Sequence, residues 1–362
     1  MSTAVRTGIA NLPLHGGKAP PWLFSRMVKL AREISIFIVT EFGPEEMLRR
    51  LSEPYWFQAM GCVLGFDWHS SGVTTTLCGA LKEGLRGLEK DLGLFVAGGK
   101  GRASRRTPAD IEGFGPALSV DPSCLTYASR MSAKVDNTAV QDGYQLYHHT
   151  FLFTAGGSWA VVQQGMNEAN RYARRYHWLG ESVTDFVCEP HAAICSQNRG
   201  EVLNLVAGES AGARDTITSV ATEQKTEMLL SELERVKTLD LPRRHHICAQ
   251  DIHPDRLGKG LRLIHERQPR GFENLIGIEG VGPKTVRALS LISELVYGAP
   301  ASFRDPARYS FAHGGKDGHP FPVDRQTYDR SIGLLARAVE KARVENSVRD
   351  QALSRLRSRF EL

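Results

Sequence analysis

The chain has 362 residues, 41% apolar and 8% aromatic, enough for two or three globular cores and too apolar for a disordered chain. No apolar run is long enough to cross a bilayer and the first thirty residues lack a signal-peptide core, so a cytoplasmic protein without membrane contact is expected. The net charge of +5 is concentrated late: Arg325 to Leu362 carries nine Lys or Arg against five Asp or Glu, which excludes a uniformly basic surface.

Six cysteines, at 62, 78, 124, 188, 195 and 248, include no CxxC pair, and a chain of this size needs no stapling, so reduced thiols are expected. An irregular lead-in ends at Pro20-Pro21. Helical pattern then runs from Trp22 to Glu41 and stops at Gly43, restarts at Pro44 and runs to Leu51, and returns from Leu77 to Leu92. Gly98 to Arg106 holds four cations and no acid among glycine and serine, and reads as a flexible basic loop. A helix follows from Asp121 to Val135. The aromatic run Tyr144 to Phe153, the turn Thr154 to Gly157 and Ser158 to Gln163 then form a β-hairpin. A strand over Glu201 to Val206 and a helix over Thr218 to Thr238 precede a boundary near Pro242. The expected class is α+β, a mixed domain over 1–242 followed by an all-helical domain over 243–362.

In the second part, Arg270 to Gly277 is a short helix with Phe272, Leu275 and Ile276 on one face. Gly280-Val281-Gly282 turns the chain, and Pro283 opens a helix with Val286, Leu289, Ile292 and Val296 along one stripe. This is the logic of a helix-hairpin-helix. Glycines let the backbone approach a phosphate, the free end of the second helix favours an anion, and Lys284 adds a full charge. Gly280, Val281, Gly282, Lys284 and Thr285 are therefore the candidate DNA contacts, with an ordinary closed αα-turn as the alternative.

The run Ile278 to Leu289 resembles the hairpin of DNA-binding helix-hairpin-helix proteins. With Val323-Asp324 further on, the region is similar to the helix-hairpin-helix DNA glycosylases. That resemblance implies base excision with an abasic-site lyase step, Lys284 as nucleophile and Asp324 as its electrostatic partner. The polar, Gly-rich stretch Arg304 to His319 lengthens the connection, and no cysteine follows Cys248, so no iron–sulfur cluster and no other cofactor is expected. Independently of family, a carboxylate beneath a sugar stabilises the positive charge that builds as an N-glycosidic bond breaks, and a neutral amine can attack the sugar carbon. Asp324 also reads as a helix N-cap and Lys284 as a plain phosphate contact.

Over most of its length the chain resembles an archaeal and bacterial family of unassigned function, through Arg6 to Gly17, Ala133 to Asp136, Gln141 to Tyr144 and Val162 to Met166. Lys134, Asp136, Gln141 and Asp142 before the β-hairpin, with Gln163 and Gln164 on its second strand, offer the raw material of a magnesium-dependent nuclease, or else turn and cap residues. Cys188, His191 and Cys195, and His245, His246 and Cys248, offer zinc ligands at spacings that fit no standard finger; separate buried thiols are the alternative, and no metal is expected. His148 and His149 alternate across a strand and cannot share a site. Arg171, Arg174 and Arg175 would lie on one side of a helix that tracks single-stranded DNA, or form a solvated basic face. The expected function is that of a DNA-repair or DNA-processing protein whose partner is DNA; a metal-dependent nuclease and a non-enzymatic DNA-binding adaptor are the alternatives.

Overall fold

The structure, a computed structural model, describes residues 19–65, 72–169, 172–196, 199–236, 254–307 and 325–360. Proline starts and glycine stops delimit the first helices: α1 (Pro21–Phe42) ends at Gly43, whose φ of 88° only glycine adopts cheaply, and α2 (Pro44–Ser52) and α3 (Pro54–Val63) each begin on a proline. The Glu53 side chain caps α3 through the amides of Tyr55 and Trp56. Helices α4 (Gly72–Leu85) and α5 (Glu89–Leu92) replace the single helix expected to Leu92, because Gly87 with φ 82° breaks it.

Strand β1 (Leu94–Lys100) is followed by α6 (Arg102–Arg105), α7 (Thr107–Gly113) and α8 (Pro122–Lys134). The flexible loop expected over Gly98 to Arg106 is thus a strand end and a helical turn. Its glycines serve close packing: Gly98 has φ 84°, and a Cβ there would lie 2.3 Å from the His149 carbonyl oxygen and 2.6 Å from Thr107 Oγ1. Gly98→Ala is expected to lower stability by about 3 kcal/mol or more, from backbone strain and overpacking together. A urea-unfolding midpoint equal to wild type would contradict this.

Helix α8 continues into one π-helical turn, Val135–Ala139, and then β2 (Val140–Gln141), β3 (Gln145–Thr154), β4 (Trp159–Asn167), β5 (Tyr172–Leu179), β6 (Ala193–Cys195) and β7 (Leu203–Asn204). The helical reading of Arg171 to Trp178 is corrected. Both faces of β5 are covered, so its aromatic residues occupy alternate positions and pair with β4, and Arg174 and Arg175 point to opposite faces; Arg171 lies outside the described residues. The strand expected over Glu201 to Val206 shrinks to Leu203–Asn204. Helices α9 (Ala211–Glu223) and α10 (Thr226–Val236) divide the predicted Thr218 to Thr238 element. They are followed by α11 (Pro254–Arg267), α12 (Phe272–Gly277), α13 (Pro283–Leu295), α14 (Arg325–Lys341) and α15 (Asn346–Phe360).

The protein is α+β. Its antiparallel five-stranded sheet, in the order β1-β3-β4-β5-β6, lies between two helical layers. Alternation fixes which residue meets which layer. Phe95, Phe151, Phe153, Val161 and Trp178 pack against α7 to α13, while Val96, Leu152, Ala160 and Val162 pack against α1 to α4, α14 and α15. Helices on both sides of Pro242 contribute to each core. Polar side chains on the sheet gather at one end, where His148 and His149 of β3 pair with Gln164 and Gln163 of β4 and face opposite layers.

Candidate functional site

Helices α12 and α13, joined by the turn at Gly280 to Gly282, stand where the sequence places two helices and a turn. Gly280, with φ 93°, and Glu279 are exposed at the tip, and Gly282 is the extended N-cap of α13, which no side chain caps. Lys284 is exposed on the first turn. Val281 and Thr285 are instead 1% and 5% exposed, so only their backbone can face a ligand. A Cβ at Gly260 would come within 2.8 Å of Thr285 Oγ1, and the glycine is what lets α11 approach α13 so closely. Arg267 of α11 lines the groove beside the tip together with Gly277, Ile278 and Glu279. Asp324, the expected partner of Lys284, lies outside the described residues, although α14 opens at Arg325.

The polar residues preceding the β-hairpin do not assemble into a metal site. Lys134 Nζ donates to the carbonyl oxygens of Val281 at 2.8 Å and Ile278 at 3.4 Å. Burial lowers the Lys134 pKa, with Glu279 opposing. Gln141 Nε2 donates to Pro283 O at 2.9 Å, and Gln141 Oε1 accepts from Arg287 Nε at 2.6 Å. These two residues, at the end of α8 and in β2, brace the back of the hairpin.

Asp136 and Asp142 are held apart by different partners. Asp136 is fully buried within the π turn, and its oxygens accept from Gln163 Nε2 at 2.6 Å and Trp178 Nε1 at 3.0 Å, with His191 Nε2 at 2.5 Å. Behind it, Ser129 Oγ lies 2.9 Å from His149 Nε2, and His149 Nδ1 lies 2.7 Å from Gln163 Oε1. Because the Gln163 amide nitrogen faces two acceptors, Ser132 O and Asp136, its oxygen must accept from His149. The His149 Nδ1–H tautomer follows, and burial, opposed by Gln163 and Asp136, lowers its pKa. The result is a buried relay from Ser129 to His191. Rare π turns often mark functional positions, and here the turn carries Asp136 between the two residues that brace the hairpin.

Asp142 accepts from Arg174 Nη1 at 3.0 Å and Tyr176 OH at 2.6 Å, while Arg174 Nη2 donates to Asp305 at 2.7 Å. All three charged side chains are 5% exposed or less. Burial pushes the Asp142 pKa up while Arg174 and Tyr176 hold it down. The Arg174 guanidinium also stacks 4.7 Å from the Tyr144 ring. On the other sheet face Arg175 donates to His177 Nε2 at 2.8 Å and Gln58 Oε1 at 3.1 Å.

Among the described residues no three His, Cys, Asp or Glu side chains converge to hold a metal ion. Of the residues weighed as zinc ligands, Cys195 is buried beside Arg175 and His191 is bound to Asp136; His245, His246 and Cys248 lie outside the described residues. The five described cysteines are free thiols. Sequence reasoning missed the pairing of Asp136 with His191 and the roles of Ser129, His149 and Trp178. Fifty-five positions separate Asp136 from His191, and no spacing rule joins them.

A family model described as a protein of unknown function (DUF763) matches residues 8–323. The match covers most of the chain, both the sheet and the α12–α13 hairpin, and the chain belongs to that family. Neither curated proteins nor solved structures give a match.

Proposed function

We propose that this DUF763 protein binds duplex DNA through the phosphate backbone, with the α12–α13 hairpin as the clamp. The observation that carries the reading is the hairpin tip. An exposed left-handed Gly280, an N-cap Gly282 without a side chain and an exposed Lys284 stand together at the start of a 13-residue helix. Backbone amides and the helix dipole there favour an anion. Lys134 and Gln141 brace the turn from behind, so a phosphate would meet a preformed surface.

Phosphate contacts position a protein without reading bases, so affinity should be similar on all sequences and fall steeply with salt. The two glycines offer different tests. A Cβ at Gly280 would meet Leu263 at 2.9 Å in a left-handed backbone, whereas a side chain at Gly282 meets nothing within 4 Å. Gly282→Glu therefore places a carboxylate in the phosphate position without disturbing packing. Fluorescence anisotropy should show at least a tenfold weaker Kd on every duplex at unchanged Tm. Wild-type affinity in this variant would rule the hairpin out as the clamp.

The finer chemical reading is base excision with a lyase step, using Lys284 as nucleophile and Asp324 as the carboxylate that stabilises the sugar cation. The support is the placement of Lys284, accessible at the helix mouth where a bound backbone would lie. Borohydride should then trap a covalent adduct with an abasic duplex. Lys284→Arg should abolish the adduct and keep most of the binding; a wild-type protein that binds the duplex and yields no adduct leaves Lys284 as an anchor only.

A further inference from the structure

A cavity of about 520 Å³ opens beside β6, with His191 and Ile194 on its sheet side, Asn204 and Glu209 toward the start of α9, and Arg199 and Arg304 at its rim. The His191 side chain is only 7% exposed, and its Nε2 is bound to Asp136. Its Nδ1 has no hydrogen bond to any described residue. The chain reaches this position through strained backbone: Glu189 has φ 45°, precedes Pro190 and is pinned by its amide to Val206 O at 2.7 Å. A left-handed non-glycine residue persists only where its surroundings over-determine it, and such residues cluster at reactive sites.

The charges around the cavity are unequally engaged. Asp305 is held by Arg174 and by the amides of Gly200 at 3.0 Å and Ala307 at 2.9 Å. Glu209 accepts from the Ser302 hydroxyl. Arg304 is 86% exposed, and its ion pairing among the described residues is one 3.9 Å approach to Glu209. A planar guanidinium that remains accessible at the mouth of a cavity suits a bidentate oxyanion. The same cavity is lined by an imidazole with one nitrogen fixed by a carboxylate and the other without a hydrogen bond to a described residue, the arrangement of an oriented general base.

We infer that this cavity is a hydrolytic site for a phosphodiester, with Arg304 holding the anion, His191 as general base and Asp136 as the residue that positions it. The inference rests on the DNA reading only for the identity of the natural diester. In the step, water attacks phosphorus as His191 Nδ1 takes its proton. The new P–O bond forms from the water oxygen, and the P–O bond to the leaving oxygen breaks with its electron pair on that oxygen. In a nucleic acid the imidazolium returns its proton to the leaving alkoxide; an aryl oxide leaves as the anion and the proton goes to solvent.

The experiment uses the full chain and bis(4-nitrophenyl) phosphate, with release of 4-nitrophenolate read by absorbance. Wild type should turn the diester over. His191→Gln, which keeps an amide donor for Asp136, should lower kcat by about 100-fold, the usual contribution of a general base. Arg304→Ala, at an exposed position where folding is not at stake, should raise KM several-fold with kcat nearly unchanged. No turnover by wild type, or wild-type kcat in a folded His191→Gln, overturns the inference. The small diester does not need the hairpin: turnover that persists in Gly282→Glu alongside lost duplex binding supports this site separately, whereas duplex binding by a protein inert toward the diester rejects this site and leaves the clamp.

Discussion

Acidification from pH 7 to pH 5 is expected to remove about 4 kcal/mol of folding stability through His148 and His177 alone, with His149 acting in the same direction. Burial pushes the His148 pKa from 6.5 down to about 3, helped by His149 and Lys100. Burial, then the Arg175 charge, holds His177 well below its ordinary value, and only the Leu51 carbonyl opposes. The geometry agrees with the direction. His177 Nε2 accepts from Arg175 Nε, so protonating that nitrogen would set two N–H groups against each other. A histidine held neutral in the fold gives stability that is complete above its unfolded pKa near 6.5 and is lost as pH falls below it, because only the unfolded chain takes up the proton. Each contributes a slope of about 1.4 kcal/mol per pH unit. Glu53 and Asp142 oppose this: burial raises both, so the fold takes up their protons before the unfolded chain does. That compensation begins above the ordinary carboxylate range, as pH falls through their raised folded-state values, and it offsets part of the histidine loss. Against a total of roughly 5 to 15 kcal/mol, the histidine loss places acid unfolding at mildly acidic pH. Chemical denaturation at a series of pH values tests it, and equal stability at pH 7 and pH 5 would contradict the neutral assignment.

Replacement of Asp136 by alanine is expected to cost about 4 kcal/mol, more than the loss of one hydrogen bond. Its carboxyl oxygens receive Gln163 Nε2, Trp178 Nε1 and His191 Nε2. Gln163 and Trp178 are both 0% exposed, so their freed donors have no water to turn to. Leaving a buried donor unsatisfied costs roughly 1 to 3 kcal/mol, and the void adds to that. Asp136→Asn retains the volume and an acceptor oxygen but turns an NH2 toward a donor, so a loss of about 2 kcal/mol is expected. Trp178, whose ring centroid lies 4.5 Å from that of His191, should report the rearrangement by fluorescence. A urea midpoint for Asp136→Ala close to wild type would mean that the relay is not a structural unit.

Elements with strong local signals were determined by the sequence alone. Pro44 and Pro283 at helix starts, Gly43 at a helix end and the aromatic run into β3 each fix a dihedral or a burial pattern over a few residues, and each element stands where the pattern put it. The α12–α13 hairpin was legible for the same reason: two glycines, a proline and two apolar stripes are a local specification. Where a local pattern misled, packing had overruled it. Gly98 reads as the start of a flexible basic loop and is in fact the point where β1 touches the His149 carbonyl and Thr107. Arg174 and Arg175 read as one basic helical face and lie on opposite faces of a buried strand.

Only the tertiary structure decided what the polar residues do. Lys134 and Gln141 carry the same side chains whether they serve a metal or brace a turn, and it is the approach of α13 that gives them Val281 O and Pro283 O as acceptors. Asp136 and His191 become partners because the sheet brings β5 and the segment before β6 over the end of α8. A hydrogen bond has a range of one atomic contact, whereas sequence periodicity reports only which side of an element is buried. The identity of a buried polar partner therefore follows from how elements pack, and no spacing along this chain encodes it.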